Sequence, residues 1–563
     1  MYNYQSLILY ISFLTYFLFS IIFSFYSFPQ EDALIIYRYV NNLVETGEIL
    51  FNIDGPHTEG ATDFFWLIYL GFFKFIGFDP FLISIITNSL ALTLIMYLII
   101  KEIAPNQSFI FYIFALLIFL NLGQIVGASV FGFSTLIFCV LGLLVYRSAY
   151  LAKNIQWCLS SIIFCLLRPE AVIFFLPTIL IAYNSNNQNI KKFFYFLLII
   201  CFVGAIYFLW RYIYFSEFLP LPLMVKQIGG ETSLRRFLAI ISQILSTFTL
   251  SSIVVIFTYL ISNRSKFFSK YNKQLLYLLL IILVTTAYIF SFSTGYASQN
   301  IFFRYFAPVY FIIFLMTIYS LANIQLNKII FSILIIILTL GSLDNSNLLN
   351  RIFNIEKWKI SQPTSRIFSQ FSETGFSFHP IVQLSHRLKN YNKDLKIMLT
   401  EAGAIPYFSD SFVIDMTGLN NSTFAKRPVI CSDFEYHKPT FIEIDVGPLK
   451  MFSFRNMKDN KNYPSCGFVG KKELFSDSDV LKKDQLFLVD KYENNYFSEE
   501  HEKATVNVAP LNTLYCMQDN DFYDLIFINK RSDQIYFINS SSDIKSTFEM
   551  SCEIKELGYF KNE

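Results

Sequence analysis

The chain has 563 residues, 54% hydrophobic and 18% aromatic, with a mean hydropathy of +0.46. Soluble domains rarely reach that average, so an ordinary soluble fold is excluded and a polytopic α-helical membrane protein is expected. The formal net charge of +2 gives no basic surplus for a polyanionic partner, and no nucleic-acid motif is present.

Charge divides the chain in two. Residues 1–343 carry 18 Lys/Arg and 12 Asp/Glu, whereas residues 344–563 carry 26 and 30. The change falls at the polar, turn-rich stretch 341–350. The expected organisation is therefore a membrane module over 1–343 and a soluble domain over 350–563. Cys139, Cys158, Cys165 and Cys201 lie in apolar segments and read as small buried hydrophobes. Cys431, Cys466, Cys516 and Cys552 lie in the soluble part, where their even number permits disulfides outside the cytosol. No Cys/His spacing points to zinc.

Residues 1–28 carry no charge. They lack a charged leader and a small-residue cleavage site, so they read as a membrane anchor. Pro29 ends that span, and an outer loop over 28–63 follows. Seven of the 12 acidic residues of the first 343 sit between Glu31 and Asp63, and carboxylates beside an apolar phase are costly enough to suggest function. Residues 31–46 are predicted as a helix on the membrane surface. Leu34, Ile36, Tyr39 or Val40, and Leu43 fall on one face, and Glu31, Arg38, Asn42 and Glu45 on the other. Gly47 is the expected stop. Glu31 and Asp32 open the helix, where its dipole favours the ionised form. An ionised carboxylate there can take a proton from a hydroxyl, or the pair can simply cap the helix. The pair is also the candidate site for a divalent cation, since hard cations take paired carboxylates. Glu59 is a candidate for a sugar hydroxyl or for pairing with Arg38, and Thr62 or Asp63 for capping the next span.

Apolar runs at roughly 5–27, 61–77, 80–100, 108–126, 129–150, 155–183, 193–214, 237–261, 272–293, 303–322 and 328–343 predict about eleven spans. The basic loop 263–273 and Lys191 with Lys192 are expected in the cytoplasm. Alternate crossing then places the acidic loop, the 215–236 loop and the C-terminal domain outside, but strands Arg147 and Lys153 outside against the rule. A break of 155–183 into two half-helices at Arg168-Pro169 is the alternative, because proline disrupts a helix interior. Arg168 and Glu170 lie in that apolar run and are expected to pair. The soluble part alternates strand-like runs (396–400, 412–415, 440–444, 486–489, 525–528, 535–537) with polar turns, which predicts a mixed α/β domain.

The order Glu31-Asp32-Ala33, Arg38-Tyr39, Leu50-Phe51-Asn52, Glu59-Gly60-Ala61-Thr62 and Trp66 resembles the first outer loop of GT-C superfamily glycosyltransferases. The resemblance is to the branch of the actinobacterial terminal arabinofuranosyltransferases and their Gram-negative relatives. Further blocks in the same order extend it: Arg168-Pro169-Glu170, Leu219-Pro220 through Lys226 to Gly229-Gly230, Arg304-Tyr305-Phe306 with Pro308, Glu401 to Tyr407, and Val413 to Leu419. Two departures stand out. Leu221-Pro222 replaces an Asn-Thr, and Ser134 in Gly132-Phe133-Ser134-Thr135 replaces a carboxylate.

The resemblance implies a GT-C-like fold of about eleven transmembrane helices with an extracytoplasmic α/β domain. It implies a bacterial inner-membrane enzyme that moves a sugar from a polyprenyl-phosphate donor to a cell-envelope glycan such as lipopolysaccharide. Asp32 would be the base and Glu31 would orient the acceptor. Arg38, Asn52, Glu59, Thr62, Arg168, Glu170, Lys226 and Arg304 would bind substrate. A phosphate leaving group needs cations more than a general acid. Arginine offers it a bidentate fork and lysine a point charge. Arg235 and Arg236 read better as headgroup contacts. The rival readings are a transporter or flippase of lipid-linked saccharides, which would usually show repeated halves, and an oligosaccharide ligase.

Overall fold

The computed structural model describes residues 2–24, 29–186, 190–227, 247–262, 304, 306–324 and 338 of the helical part. Of the C-terminal part it describes most of 385–445, together with 523–529 and 534–539. The helices are α1 (Tyr2–Ser24), α2 (Glu31–Thr46), α3 (Phe64–Phe75), α4 (Pro80–Leu98, continued by a π-helical turn Ile99–Ile103), α5 (Phe109–Leu120), α6 (Gly123–Val130) and α7 (Thr135–Tyr150). They continue as α8 (Asn154–Leu167), α9 (Ala171–Ser185), α10 (Ile190–Phe215), α11 (Leu221–Gln227), α12 (Thr247–Ser262) and α13 (Ala307–Asn323). Among the described residues, three stretches are long and apolar enough to cross a membrane: Tyr4–Ile21, Pro80–Ile103 and Ile190–Phe215. The expected spans 61–77 and 129–150 fold as shorter apolar helices, and 108–126 divides into α5 and α6. Those at 272–293 and 328–343 lie outside the described residues, Leu338 apart.

Local chemistry sets the helix ends. Gly47 stops α2 at φ +78°, a conformation glycine adopts without a Cβ penalty, and donates to Leu43 O at 2.9 Å. Asp79 caps α4 by accepting from Phe81 N and Leu82 N at 2.9 and 3.0 Å, with Pro80 in the first turn. Ser108 caps α5 through Phe111 N at 3.2 Å.

The run 155–183 is broken where the proline falls. Helix α8 ends at Leu167 and α9 starts at Ala171, with Arg168 in extended conformation between them. The two form a hairpin, because the Asn154 side chain donates to that of Asn186 at 2.9 Å. The far ends of several other helices are joined by polar contacts. Tyr4 donates to Gln107 O at 3.4 Å, Lys101 to Gln5 at 3.1 Å, and Gln107 to Ala322 O at 3.3 Å. Arg147 donates to Glu102 at 2.6 Å. Arg147 and Lys101 therefore share one end of the bundle, and Lys153 sits beside them at the start of α8. The acidic loop lies at the other end.

The C-terminal part holds β1 (Lys396–Leu399), α14 (Ala404–Ser409), β2 (Phe412–Asp415), α15 (Ser422–Lys426), β3 (Phe441–Asp445), β4 (Tyr523–Asn529) and β5 (Gln534–Asn539). They form one sheet in the order β2-β1-β3-β5-β4, parallel across β2, β1 and β3 and antiparallel across β3, β5 and β4. Five expected strands are found close to their expected places, and 486–489 lies outside the described residues.

This sheet docks on α2 through its outer strand. The Asn52 carboxamide accepts from Val413 N at 2.9 Å and donates to Val413 O at 2.7 Å, as a neighbouring peptide would. Arg38 donates to Phe51 O (2.5 Å), Asn52 Oδ1 (2.9 Å), Ser411 O (2.7 Å) and Pro406 O. Glu31 and Arg38 on the polar face of α2 therefore meet the sheet domain, Asn42 is buried against the loop at Leu50 and Phe51, and Glu45 stays exposed. Asn52→Ala leaves both polar groups of Val413 and one Arg38 donor unmatched. It should cost about 1–3 kcal/mol, read as a lower melting temperature and faster proteolysis within 385–445.

Candidate functional site

The site is built where the acidic loop meets the upper ends of the helices. Its floor is the turn between α6 and α7. Gly132 sits at φ +97°, and a Cβ there would strike the Tyr37 hydroxyl and lie 3.3 Å from Ala33. Tyr37 donates to Gly132 O at 3.3 Å and to Ser84 at 3.2 Å, and Gln30 N donates to Phe131 O at 3.2 Å. The start of α2 is thereby pressed against Phe133 and Ser134.

Asp32 and Arg304 face each other across this turn. Arg304 Nη2 donates to Asp32 Oδ2 at 2.5 Å, and the guanidinium lies over the Phe133 ring, 4.2 Å from its centroid. Arg304 is 7% exposed, whereas the Asp32 side chain is 37% exposed. The carboxylate is thus the open member of the pair and the arginine the buried one. Such a cation–π contact strengthens as water is removed.

Asp63 was expected only as a helix cap, and its side chain makes no cap bond to α3. It accepts from Ser134 Oγ and from Thr62 Oγ1 (3.3 Å), and lies 4.0 Å from Arg168 Nε. Arg168 at the hairpin tip also pairs with Glu170 through Nη2 at 2.5 Å, and its guanidinium lies 5.4 Å from the Phe138 ring centroid. Asp32 with Arg304, and Asp63 with Arg168 and Glu170, therefore flank the adjacent residues Phe133 and Ser134. Ser134 stands where the resemblance led us to expect a carboxylate, and through it Asp63 brings one there.

Glu31 faces the other way. Its Oε2 accepts from Ala404 N at 2.7 Å, and Gly403 lies so close to the Glu31 backbone that a Cβ would collide. Burial raises the Glu31 carboxyl to about 7, the Ala404 N–H opposes the rise, and the Asp32 charge adds to it. Glu31 thus ties the sheet domain to α2.

Glu59 pairs with Arg211, not with Arg38 as one expectation had it, and both are nearly fully buried. Arg211 also donates to Phe218 O at 2.8 Å, and Glu59 O accepts from Leu221 N at 3.3 Å, so the loop after α10 is fastened here. Sequence reading missed Arg211 by treating it as part of an apolar span. The available signal was a lone arginine one turn from the end of a 26-residue apolar helix, which demands a partner. Tyr39 adds a crossing point: it donates to Thr58 O (2.9 Å) and Asn420 Oδ1 (3.2 Å) and accepts from Gly60 N (3.0 Å). Lys226 lies in α11, which packs on α15 through Leu221, Val225 and Ala425. Its side chain, like Arg235 and Arg236, lies outside the described residues.

Of the expected site residues, the structure gathers Asp32, Arg304, Arg168, Glu170 and Thr62 around one turn and adds Asp63. It places Glu31, Arg38 and Asn52 at the seam with the sheet domain, and Glu59 at Arg211. Glu31 and Asp32 have different partners, so a divalent cation between them would have to displace Ala404 N–H and Arg304. Among the described residues, no three His, Cys, Asp or Glu side chains converge as a metal-ligand group.

These features define a helical protein with stretches long and apolar enough to cross a membrane and an α/β domain docked beside a cluster of paired charges. Residues 372–493 match the model of a family described as a domain of unknown function (DUF8728). That match includes β1, β2 and β3 but not the helical part. None of the curated proteins matches the chain.

Two outcomes follow. Between about pH 5 and 7 the folded protein holds a proton on Glu31 that the unfolded chain has released. Stability should therefore fall as pH rises through that window and level off above it. Glu31→Gln should flatten this segment of a melting-temperature profile taken from pH 5 to 8. Asp63→Asn and Glu170→Gln both act on Arg168, so their unfolding costs in detergent should be non-additive by about 0.5–3 kcal/mol. Additive costs would mean that only one of the two acids holds the arginine.

Proposed function

We propose that the protein is a GT-C-type glycosyltransferase that moves a sugar from a polyprenyl-phosphate donor to a cell-envelope glycan. The observation that carries the reading is the Asp32–Arg304 pair. A half-exposed carboxylate sits beside a buried cation, at the end of the bundle where the other loop acids and arginines collect. The order of sequence blocks supports the same class.

The orientation follows from charge. Lys101, Arg147, Lys153, Lys191 and Lys192 belong to the end opposite the cleft, and Glu102 is paired with Arg147. By the positive-inside rule that end faces the cytoplasm. The cleft and the sheet domain then lie on the outer side of the bacterial plasma membrane, where lipid-linked donors present their sugars. The break at Arg168-Pro169 puts Arg147 and Lys153 on the side of Lys191 and Lys192, and the acidic loop stays on the opposite side because α3, with Asp63 at Ser134 before it and Ser84 at Tyr37 after it, is not a crossing.

In this reading Asp32 takes the proton from an acceptor hydroxyl as its oxygen bonds to the anomeric carbon. The bond from that carbon to the phosphate oxygen breaks, and the pair of electrons leaves with the polyprenyl phosphate. Direct displacement inverts the anomeric centre. Arg304 and Arg168 face the charge that grows on the phosphate, and the sheet domain shapes the acceptor side. A divalent cation at Glu31 and Asp32 remains a proposal, and no step here is routed through it.

The test is mass spectrometry of envelope glycans from a deletion strain carrying wild type or Asp32→Asn. The deletion should lose one sugar mass, restored by wild type only. In vitro, Asp32→Asn should slow transfer by about 10²–10⁴-fold. Full restoration by Asp32→Asn at normal protein level would remove Asp32 as base. A deletion that accumulates a complete lipid-linked glycan would point to a flippase or ligase.

A further inference from the structure

We infer that Arg304 exchanges partners during the reaction: the donor's phosphate takes the guanidinium from Asp32, and only then is Asp32 free to act as base. This rests on the reading above and adds to it an order of events.

Three observations lead there. First, Asp32 Oδ2 is engaged by Arg304 Nη2 at 2.5 Å, so the carboxylate that would take the acceptor proton is held as an ion-pair partner. Second, among the described residues the site offers an arriving anion no surplus of cations. Asp32, Asp63 and Glu170 outnumber Arg168 and Arg304, and each arginine already has a carboxylate at 2.5 Å. A phosphate that arrives here meets arginines already paired with acids and must share or displace them. Third, the two pairs differ in which member can leave. Glu170 and Asp63 are buried with Arg168, with side chains 13% and 9% exposed. Asp32 is 37% exposed and Arg304 is held over Phe133 at 4.2 Å. Asp32 can therefore turn toward the open side while Arg304 stays in place.

The chemistry favours the exchange. The donor's phosphodiester carries one negative charge, as a carboxylate does, but it offers a guanidinium two oxygens, and the charge that grows on it as the monoester leaves strengthens its hold on Arg304. Displaced, Asp32 turns from an ion-pair partner into a free acceptor beside the newly bound donor. Without donor, the arginine holds it, which prevents it from activating water or an acceptor prematurely.

The experiment is the affinity of purified full-length protein for farnesyl phosphate in detergent micelles, by calorimetry, with inorganic phosphate as control. If Asp32 competes for Arg304, Asp32→Asn should bind farnesyl phosphate about tenfold more tightly than wild type, though it transfers poorly. Arg304→Lys should bind more weakly than wild type. Equal or weaker binding by Asp32→Asn overturns the exchange while leaving the donor class standing. No binding of farnesyl phosphate by wild type or variant overturns both. If inorganic phosphate alone reproduces the tenfold gain, the exchange holds but the anion need not be lipid-borne. Should Asp32→Asn fail to fold, wild type still decides. Carbodiimide coupling of an amine to Asp32, read by peptide mass spectrometry, should rise several-fold when farnesyl phosphate is added. Unchanged or reduced coupling with the probe bound would sink the exchange.

Discussion

An acidic loop laid against an apolar bundle is stable only if its covered carboxylates find cations or donors, because an uncompensated buried charge costs several kcal/mol. The sequence keeps few cations nearby, so they come from far along the chain. Asp32 meets Arg304, Asp63 meets Arg168, and Glu59 meets Arg211. Each arginine stands at or near an end of an apolar helix. Pairing therefore does more than neutralise charge: it fixes which helix ends gather at the loop, and so where a cleft forms. The glycine at 132 has the same consequence, since its missing Cβ lets the α6–α7 turn close on α2.

What was legible in the sequence divides along the line between local and long-range physics. The bounds of α2 were readable because a helical apolar period runs from Glu31 and Gly47 provides a left-handed stop. The strands at 396–399, 412–415 and 441–445 were readable as short apolar runs between polar turns. The partners of the charges were not. Arg211 looked like one polar residue in a greasy span, and Asp63 like a helix cap. Nothing in the local sequence says that Asp63 declines the helix N–H groups and accepts from Ser134 instead. Arg38 and Asn52 were recognised as significant, but their partners in the sheet domain lie more than 350 positions away.

The hairpin at Arg168-Pro169 shows how one break changes the charge map of the whole protein. Read as one continuous span, 155–183 reverses the sides of everything before it and sets Arg147 and Lys153 against the basic-side rule. Read as two short helices joined by Asn154 and Asn186, it returns to the end it left. The tip then carries Arg168 and Glu170 to Asp63. A proline that costs the helix a backbone bond thus brings Arg147 and Lys153 to the side of Lys191 and Lys192 and carries half of the charge cluster to the acidic loop.

Glu31 and Asp32 make the sharpest case for geometry over adjacency. Neighbouring residues on a helix project about 100° apart, at 3.6 residues per turn. From the start of α2 one carboxylate reaches Ala404 in the sheet domain and the other reaches Arg304 at the bundle. A paired acid in sequence is therefore not a paired acid in space. One fixes the domain that covers the cleft; the other faces the cleft itself. Because the two are rigidly linked through the same helical turn, the docking of the sheet domain also sets the position of Asp32. That coupling explains why a domain with no charged contact to Asp32 among the described residues still bears on where Asp32 sits.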